Sequence, residues 1–421
     1  MAKVSWRLLP LVVLIYFVAY IDRTNVGFAA LGMNKALGFT NSVYGTGAGV
    51  FFLGYFLFEV PSNVILHRVG ARVWIARIMV TWGLTSGLMI FVVGPRSFFT
   101  IRFLLGVAEA GFFPGVLLYF TYWFPAVYRA RVVAALFLAV PGSNAVAAAV
   151  SGVILQLDGV LGIAGWRWLF LLESIPAVLL APVVLAVMTD RPSLATWLTQ
   201  DERGWLEERL SREQRSVEHA HAPPTLFQAL TNPRVLILSM IYFTIVTATY
   251  GITFFLPLIV KAHGLSNVAT GLVTAIPYAL GTIGMEFWAA SSDRHHERRR
   301  HIVAASVLAA AGFVGAGVSR DVYLAIGAVS VAAIGIYAHK PCFWPLPSTF
   351  LSGTAAAGGI ALINAIGNLG GYVGPFVVGW IKDSTQSYNA GLYFLAACAL
   401  SSGLITWVAV KPEPPLTGAA T

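Results

Sequence analysis

The chain has 421 residues, of which 57% are hydrophobic and only 11% charged, with a mean hydropathy of +0.76. Soluble domains carry roughly 25% charged residues, so composition excludes a soluble globule and indicates a polytopic membrane protein. The net charge of +9 does not imply a nucleic-acid partner, because most of the Lys and Arg fall in loops on one side of the topology below.

A helix needs ~20 apolar residues to cross a ~30 Å hydrocarbon core. Twelve stretches qualify: 8–30, 42–66, 72–93, 98–124, 132–156, 167–188, 235–260, 268–290, 302–318, 322–351, 355–381 and 390–410. Lys3 and Arg7 before the first stretch mimic a signal peptide, but the apolar run continues through Asp22-Arg23 without a convincing cleavage site. It reads as an uncleaved membrane helix. The tenth stretch contains Pro341, Pro345 and Pro347 and is expected to be kinked or broken.

The predicted fold is therefore an all-α membrane protein with twelve transmembrane helices in two six-helix bundles. The expected units are an N-terminal bundle over 1–188, a linker over 189–234 and a C-terminal bundle with a short tail over 235–421. The connections alternate in charge. His67-Arg68, Arg72, Arg129, Arg131, the linker and Asp293 to His301 form the basic set, which the positive-inside rule makes cytoplasmic, together with both termini. The short basic loops after the second and eighth spans hold equivalent places, as expected of an internally duplicated transporter. Within the linker, Thr199 followed by Glu202 forms a capping-box signature, and Trp205, Leu206 and Leu210 give a short amphipathic face. A surface helix along the membrane is the expectation there.

Asp22, Arg23, Arg102 and Glu109 lie inside apolar spans. A charge at membrane depth costs about 2.5–3.5 kcal/mol on insertion scales, so such residues line water, pair with each other or bind a charged ligand. Arg102 and Glu109 are almost two helical turns apart, roughly 10 Å along the axis. They cannot form a simple ion pair on one helix and read as two polar stations on a cavity wall. Tyr16, Tyr20 and Arg23 share one helical stripe, a plausible carboxylate site because the guanidinium fork matches a carboxylate and Tyr adds donors. Asp22 points away from that stripe, toward a neighbouring helix, where it is free to titrate or to pair with Arg102. Lys340 offers a third cationic contact if it faces the cavity. Asn364 and Asn368 sit on a stripe with Gly367 and Gly371, consistent with helix packing or with substrate hydrogen bonding. Tyr250 is a weaker candidate. Glu59, Glu173 and Glu286 are expected in structural or gating roles.

Cys342 and Cys398 form no disulfide framework or metal-ligand spacing. No nucleophile–base pair, metal cluster or phosphate-binding loop appears, so an enzyme, a cofactor and ATP-driven transport are not expected.

The chain resembles the major facilitator superfamily and, within it, the anion:cation symporter family. The resemblance rests on Tyr20-Ile21-Asp22-Arg23-Thr24-Asn25, Pro61-Ser62-Asn63, the run from Arg102 to Gly115, and the run from Asn364 through Pro375. Lys340 to Pro347 and Ser352-Gly353-Thr354 look most like the branch of tartrate and related organic-acid permeases. The resemblance implies secondary active, proton-coupled symport of a small organic anion by alternating access, with a tartrate-like hydroxy-dicarboxylate favoured. It implies substrate binding by the basic residues, here Arg23 and Arg102; Tyr16, Tyr20, Lys340, Asn364 and Asn368 are the further contacts expected from the residues themselves. Asp22 and Glu109 would carry the proton, and Arg68, Asp293 and Arg294 would gate. His67 stands where the family's first loop usually has Asp before its Arg, while the second-half loop keeps Asp293-Arg294. The implied partners are the anion, protons and the lipid of a cell inner membrane, with a monomeric chain. An importer of an aromatic or other monocarboxylate, an organic-anion exchanger or exporter, and a transporter-like receptor stay open as alternatives.

Overall fold

A computed structural model describes residues 1–218, 232–295, 297–349 and 353–411. The remainder of the linker, the Ser352 part of the tartrate-branch motif and the tail beyond residue 411 lie outside the described residues. Fifteen α-helices occur among them: α1 Ala2–Leu37, α2 Asn41–Val69, α3 Ala71–Gly87, α4 Pro95–Glu109, α5 Phe112–Trp123, α6 Ala126–Ile154, α7 Gly165–Val187, α8 Gln200–Glu218, α9 Pro233–Lys261, α10 Asn267–His295, α11 Arg298–Val318, α12 Val322–Phe343, α13 Gly353–Asn368, α14 Gly370–Thr385 and α15 Asn389–Ala409. They build twelve helical spans long and apolar enough to cross a membrane, as the hydropathy predicts.

Two spans are interrupted, and the first interruption has a local cause. The fourth span divides into α4 and α5 at Ala110-Gly111, where a continuous helix was expected. Pro114 has no N–H to bond the Ala110 carbonyl. Gly111 adopts a left-handed φ of 83°, which a residue with a Cβ adopts only at a cost. Its missing side chain also leaves room for Ser62, whose Oγ would lie 2.4 Å from a Cβ built there. The break makes Glu109 the last residue of α4. The eleventh span divides into α13 and α14 at Leu369, just after Asn368. The tenth span ends as α12 at Phe343, and a 3-10 turn follows over Leu346–Thr349, consistent with its prolines.

Helices α1 to α7 pack among themselves, as do α9 to α15, and the two sets meet along α2 with α14, α6 with α10, and α1 with α9. At the end bearing residues 38–40 the two sets are locked together. Asp383 of α14 accepts from the Asn41 and Ser42 backbone N–H groups at 3.0 and 2.7 Å and from Asn41 Nδ2 at 2.8 Å. It thereby caps the N-terminus of α2 from the opposite set, where a carboxylate is favoured by the helix dipole. Tyr44 donates to the Phe254 carbonyl at 2.7 Å. A Cβ at Gly45 would lie 2.2 Å from the Pro375 carbonyl oxygen, so the backbones touch there as only glycine allows.

At the other end, α8 runs beside the start of α1. Thr199 and Glu202 make the reciprocal capping bonds at 2.9 and 3.2 Å. Lys3 donates to Glu202 Oε2 at 2.8 Å, and this bond holds the Glu202 carboxyl below the usual range. Of the expected amphipathic face, Leu206 is buried, whereas Trp205 is exposed.

Candidate functional site

Arg23 sits in the middle of α1, where α1 meets α9. Its Nη2 donates to Glu109 Oε1 of α4, and its Nη1 donates to the Tyr250 hydroxyl of α9 at 3.3 Å. The guanidinium also lies over the rings of Tyr20, Phe51 and Tyr55, at 4.9, 5.2 and 5.5 Å from their centroids. Arg23–Glu109 is, among the described residues, the one ion pair with both side chains buried. A buried pair compensates the desolvation of each charge only while both partners stay in place; removing one costs about 3–5 kcal/mol. The pair is incompletely satisfied, because Arg23 Nε has no hydrogen-bond partner. Tyr16 packs at a tilt against Tyr20, 5.1 Å between centroids, and against Phe113 of α5, and stacks on Phe112. The expected stripe of Tyr16, Tyr20 and Arg23 is thus present, and Glu109, Tyr55 and Tyr250 join it from other helices.

Arg102 is placed elsewhere. It is fully buried, and its Nη2 donates to the Ala48 carbonyl of α2 at 2.8 Å, with Nε 3.4 Å from the Gly47 carbonyl. Its guanidinium lies 5.2 Å from the centroid of the same Phe51 ring that Arg23 contacts. Nη1 has no partner. Arg102 therefore binds the α2 backbone and touches the Arg23 cluster through Phe51. Asp22 does not meet Arg102. It accepts from Trp82 Nε1 at 2.7 Å and Ser86 Oγ at 2.9 Å, both on α3, and from Asn25 Nδ2 at 3.3 Å.

From the second set of helices, Lys340 is buried on α12, with its Nζ 5.4 Å from the Tyr337 ring centroid. No carboxylate pairs with it among the described residues. Tyr337 accepts from Asn144 Nδ2 of α6 at 2.9 Å, so Lys340 lies close to the seam between the two helix sets. Its neighbour His339 turns the other way and meets Ser402 Oγ at 3.0 Å. Asn364 donates to Glu59 Oε1 of α2 at 2.9 Å; Glu59 is thereby a contact across the seam, and part of the Asn364 amide is already engaged. Asn368 is half-buried at the end of α13.

The loop residues also have definite places. Arg68 is exposed. In the second loop, Asp293 pairs with Arg298 of α11, whose Nη1 also reaches Ser292 Oγ at 3.2 Å, and Arg294 is exposed. The first loop lacks that acid, and the carboxylate that meets its end is Asp190, just past α7. Its Oδ1 accepts the Arg72 backbone N–H at 2.8 Å, while Arg72 Nε donates to the Leu185 carbonyl at 2.6 Å. Sequence reasoning missed Asp190, Phe51 and Tyr55. Tyr55 and Glu59 are one helical turn apart on α2, but no pattern marks which face meets Arg23.

The helices, the buried charges on their seam and the paired basic loops define a membrane transporter. A family model described as Major Facilitator Superfamily matches residues 12–375, and the chain belongs to that superfamily. A protein of Agrobacterium vitis named "Putative tartrate transporter" is 48% identical over 412 residues, covering 98% of this chain and 91% of the relative. A "Quinolone resistance transporter" of Acinetobacter baumannii is 41% identical over 407 residues, covering 96% and 93%. These relatives agree with an organic-acid permease branch for the first and show that the same framework also occurs in a protein named for drug resistance. Among solved structures, the partially occluded inward-open form of the xylose transporter XylE from E. coli superimposes with a TM-score of 0.78, covering 97% of this chain and 98% of that one. At 15% identity that likeness concerns the fold alone. The chain is a multi-pass membrane transporter and not an enzyme.

Proposed function

We propose that the chain is a proton-coupled symporter of a small organic anion, with a tartrate-like dicarboxylate as the favoured substrate. The observation that carries this reading is the Arg23–Glu109 pair. One guanidinium is held by an internal carboxylate, touched by a hydroxyl from the opposite helix set and left with a free N–H. A substrate carboxylate offers Arg23 the same chemistry as Glu109 and competes for it. When the substrate takes the fork, Glu109 is left buried without its cation, a state that favours its protonated form. When a proton first neutralises Glu109, Arg23 is freed for the anion. Anion and proton then bind with mutual assistance, and by linkage the assistance is reciprocal. That is the equilibrium requirement for symport.

Arg23 and Lys340 supply one cation from each helix set. A molecule with two carboxylates, one for each, would draw the sets together around itself. Tyr20, Tyr250 and Asn368 would then be the partners of its hydroxyls. Arg102, committed to the Gly47 and Ala48 carbonyls, holds Phe51 and α2 against this site. Asp190, Asp293 and Arg298 anchor the two basic loops, beside the exposed Arg68 and Arg294. The excess of basic residues in those loops supports a cytoplasmic location for them, for α8 and for both termini in an inner membrane.

The aromatic rings around Arg23 support a second reading, an aromatic monocarboxylate. Tyr20, Phe51 and Tyr55 all lie within 5.5 Å of the guanidinium, and with Arg102 withdrawn one fork suffices for a single charge. Uptake into proteoliposomes tests both. Tartrate accumulation driven by an acid exterior supports the dicarboxylate symporter. Accumulation of aromatic monoacids with no effect of diacids selects the second reading, and gradient-independent flux of every anion refutes coupling.

A further inference from the structure

Glu173 on α7 is buried and pairs with no cation among the described residues. Its Oε1 accepts from Ser151 Oγ of α6 at 2.8 Å, and its Oε2 has no hydrogen-bond partner. Against it lies Asn25 of α1, whose Nδ2 donates to Asp22 at 3.3 Å while its Oδ1 lacks any donor. Asn25 thus bridges two buried carboxyls, Asp22 on its own helix and Glu173 on α7.

The other charged groups on the surrounding helices are engaged or distant. Arg23 of α1 is held by Glu109. On α3, Arg77 stacks on Trp74 at 3.7 Å, and Arg72 binds the Leu185 carbonyl. On α6, Arg129 pairs with Glu213, and Arg131 is exposed near the same helix end. Arg167, at the start of α7, lies over Trp166 at 5.0 Å.

Charge and orphaned acceptors then point to a proton. An ionised carboxylate only accepts, whereas an amide carries two N–H donors on its nitrogen and an acceptor on its oxygen. The Asn25 nitrogen faces both carboxyls, donating to Asp22 and to Glu173, and the acceptors left over, Asn25 Oδ1 and Glu173 Oε2, have no donor. A proton on the carboxyl pair supplies one. Two ionised carboxylates sharing a site without a cation at membrane depth are strongly disfavoured.

We propose that Glu173 is a further proton-holding residue, and that Asp22, Asn25 and Glu173 bind one proton between them. This proton ties α1 to α7, while the Trp82 and Ser86 bonds to Asp22 tie α1 to α3. Its loss sets two negative charges against each other and loosens the helix that carries Arg23. Only the part this proton plays in transport rests on the symporter reading; its presence rests on the geometry.

The test is infrared spectroscopy of the full chain reconstituted in lipid at neutral pH. Glu59→Gln combined with Glu109→Gln serves as the background, so that neither Glu109 nor Glu59, the other buried carboxyl bonded by an amide, contributes a protonated-carboxyl signal. In that background a protonated-carboxyl C=O band should remain and should vanish on Glu173→Gln, because the new amide supplies the missing donor. It should also vanish on Asp22→Asn, for the same reason seen from the other end, which keeps the test available if one variant fails to fold. Persistence of the band in every folded variant, or its absence from the background protein, overturns the proposal. A band that behaves as expected, while the wild-type protein accumulates no anion under a pH gradient, supports the bound proton and refutes the symporter reading instead.

Discussion

Arg23 on the first helix holds Glu109 at the end of α4 and, with its other terminal nitrogen, reaches the Tyr250 hydroxyl of the opposite helix set at 3.3 Å. A single guanidinium therefore connects the internal carboxylate to the seam that must open and close. Occupying Arg23 with another anion changes the charge balance at Glu109 and the contact across the seam in one event.

Glu109→Gln removes the titratable group and keeps its size and one acceptor. Accumulation driven by a pH gradient should be lost, while exchange between substrate pools on the two sides persists. The check is a paired uptake and counterflow assay in proteoliposomes. Undiminished pH-driven accumulation would show that the proton is carried elsewhere.

Arg102→Lys keeps a charge but cannot span the Gly47 and Ala48 carbonyls as the guanidinium does. A lost hydrogen bond to a charged group is worth about 1.5–3 kcal/mol. The variant should melt at a lower temperature in detergent, with substrate Kd changed only a few-fold. A Kd weakened tenfold or more at unchanged Tm would mean that Arg102 touches the substrate directly, as its sequence position suggests.

Gly45→Val places a branched side chain where even a Cβ would lie 2.2 Å from the Pro375 carbonyl oxygen. The end bearing residues 38–40 should then be unable to close. Transport should fall at least tenfold, and a cysteine introduced at Thr40 should become more reactive toward a water-soluble thiol reagent. Unaltered reactivity with normal transport would contradict a closure made by α2 against α14.

Arg23 and Lys340 together favour a diacid over its mono-amide. Loss of one charged contact, at about 1.5–3 kcal/mol, predicts at least a tenfold weaker competitor. Competition uptake with tartrate and its mono-amide measures this directly. Equal competition by the two compounds would remove Lys340 from the site.

The sequence carried the span number and the residues at membrane depth, because twenty-residue apolar runs and the charges interrupting them are local properties. The capping of α8 by Thr199 and Glu202 was legible for the same reason. Pairings were not. Arg102 finds backbone carbonyls of α2, and every residue has a carbonyl, so no side-chain pattern announces that partner. Glu59 and Asn364 meet across 305 positions of chain. The break after Glu109 did leave a signal, in Pro114 four residues beyond Ala110 and in Gly111, but hydropathy alone reads straight through it. Asp190 binds the Arg72 backbone N–H beside the first loop, which a scan of that loop cannot see because the carboxylate arrives from the end of α7.

Proton uptake on substrate binding tests the central claim most directly. The purified chain, in weakly buffered detergent solution with a pH-indicator dye, is mixed with tartrate, or with an aromatic monoacid if uptake has selected that substrate. If substrate and Glu109 compete for Arg23, wild-type protein should take up a proton as the anion binds, approaching one per site as Glu109 is displaced. Glu109→Gln should bind the anion with that uptake abolished. Binding with no proton uptake in the wild type, or with equal uptake in both proteins, would contradict the account.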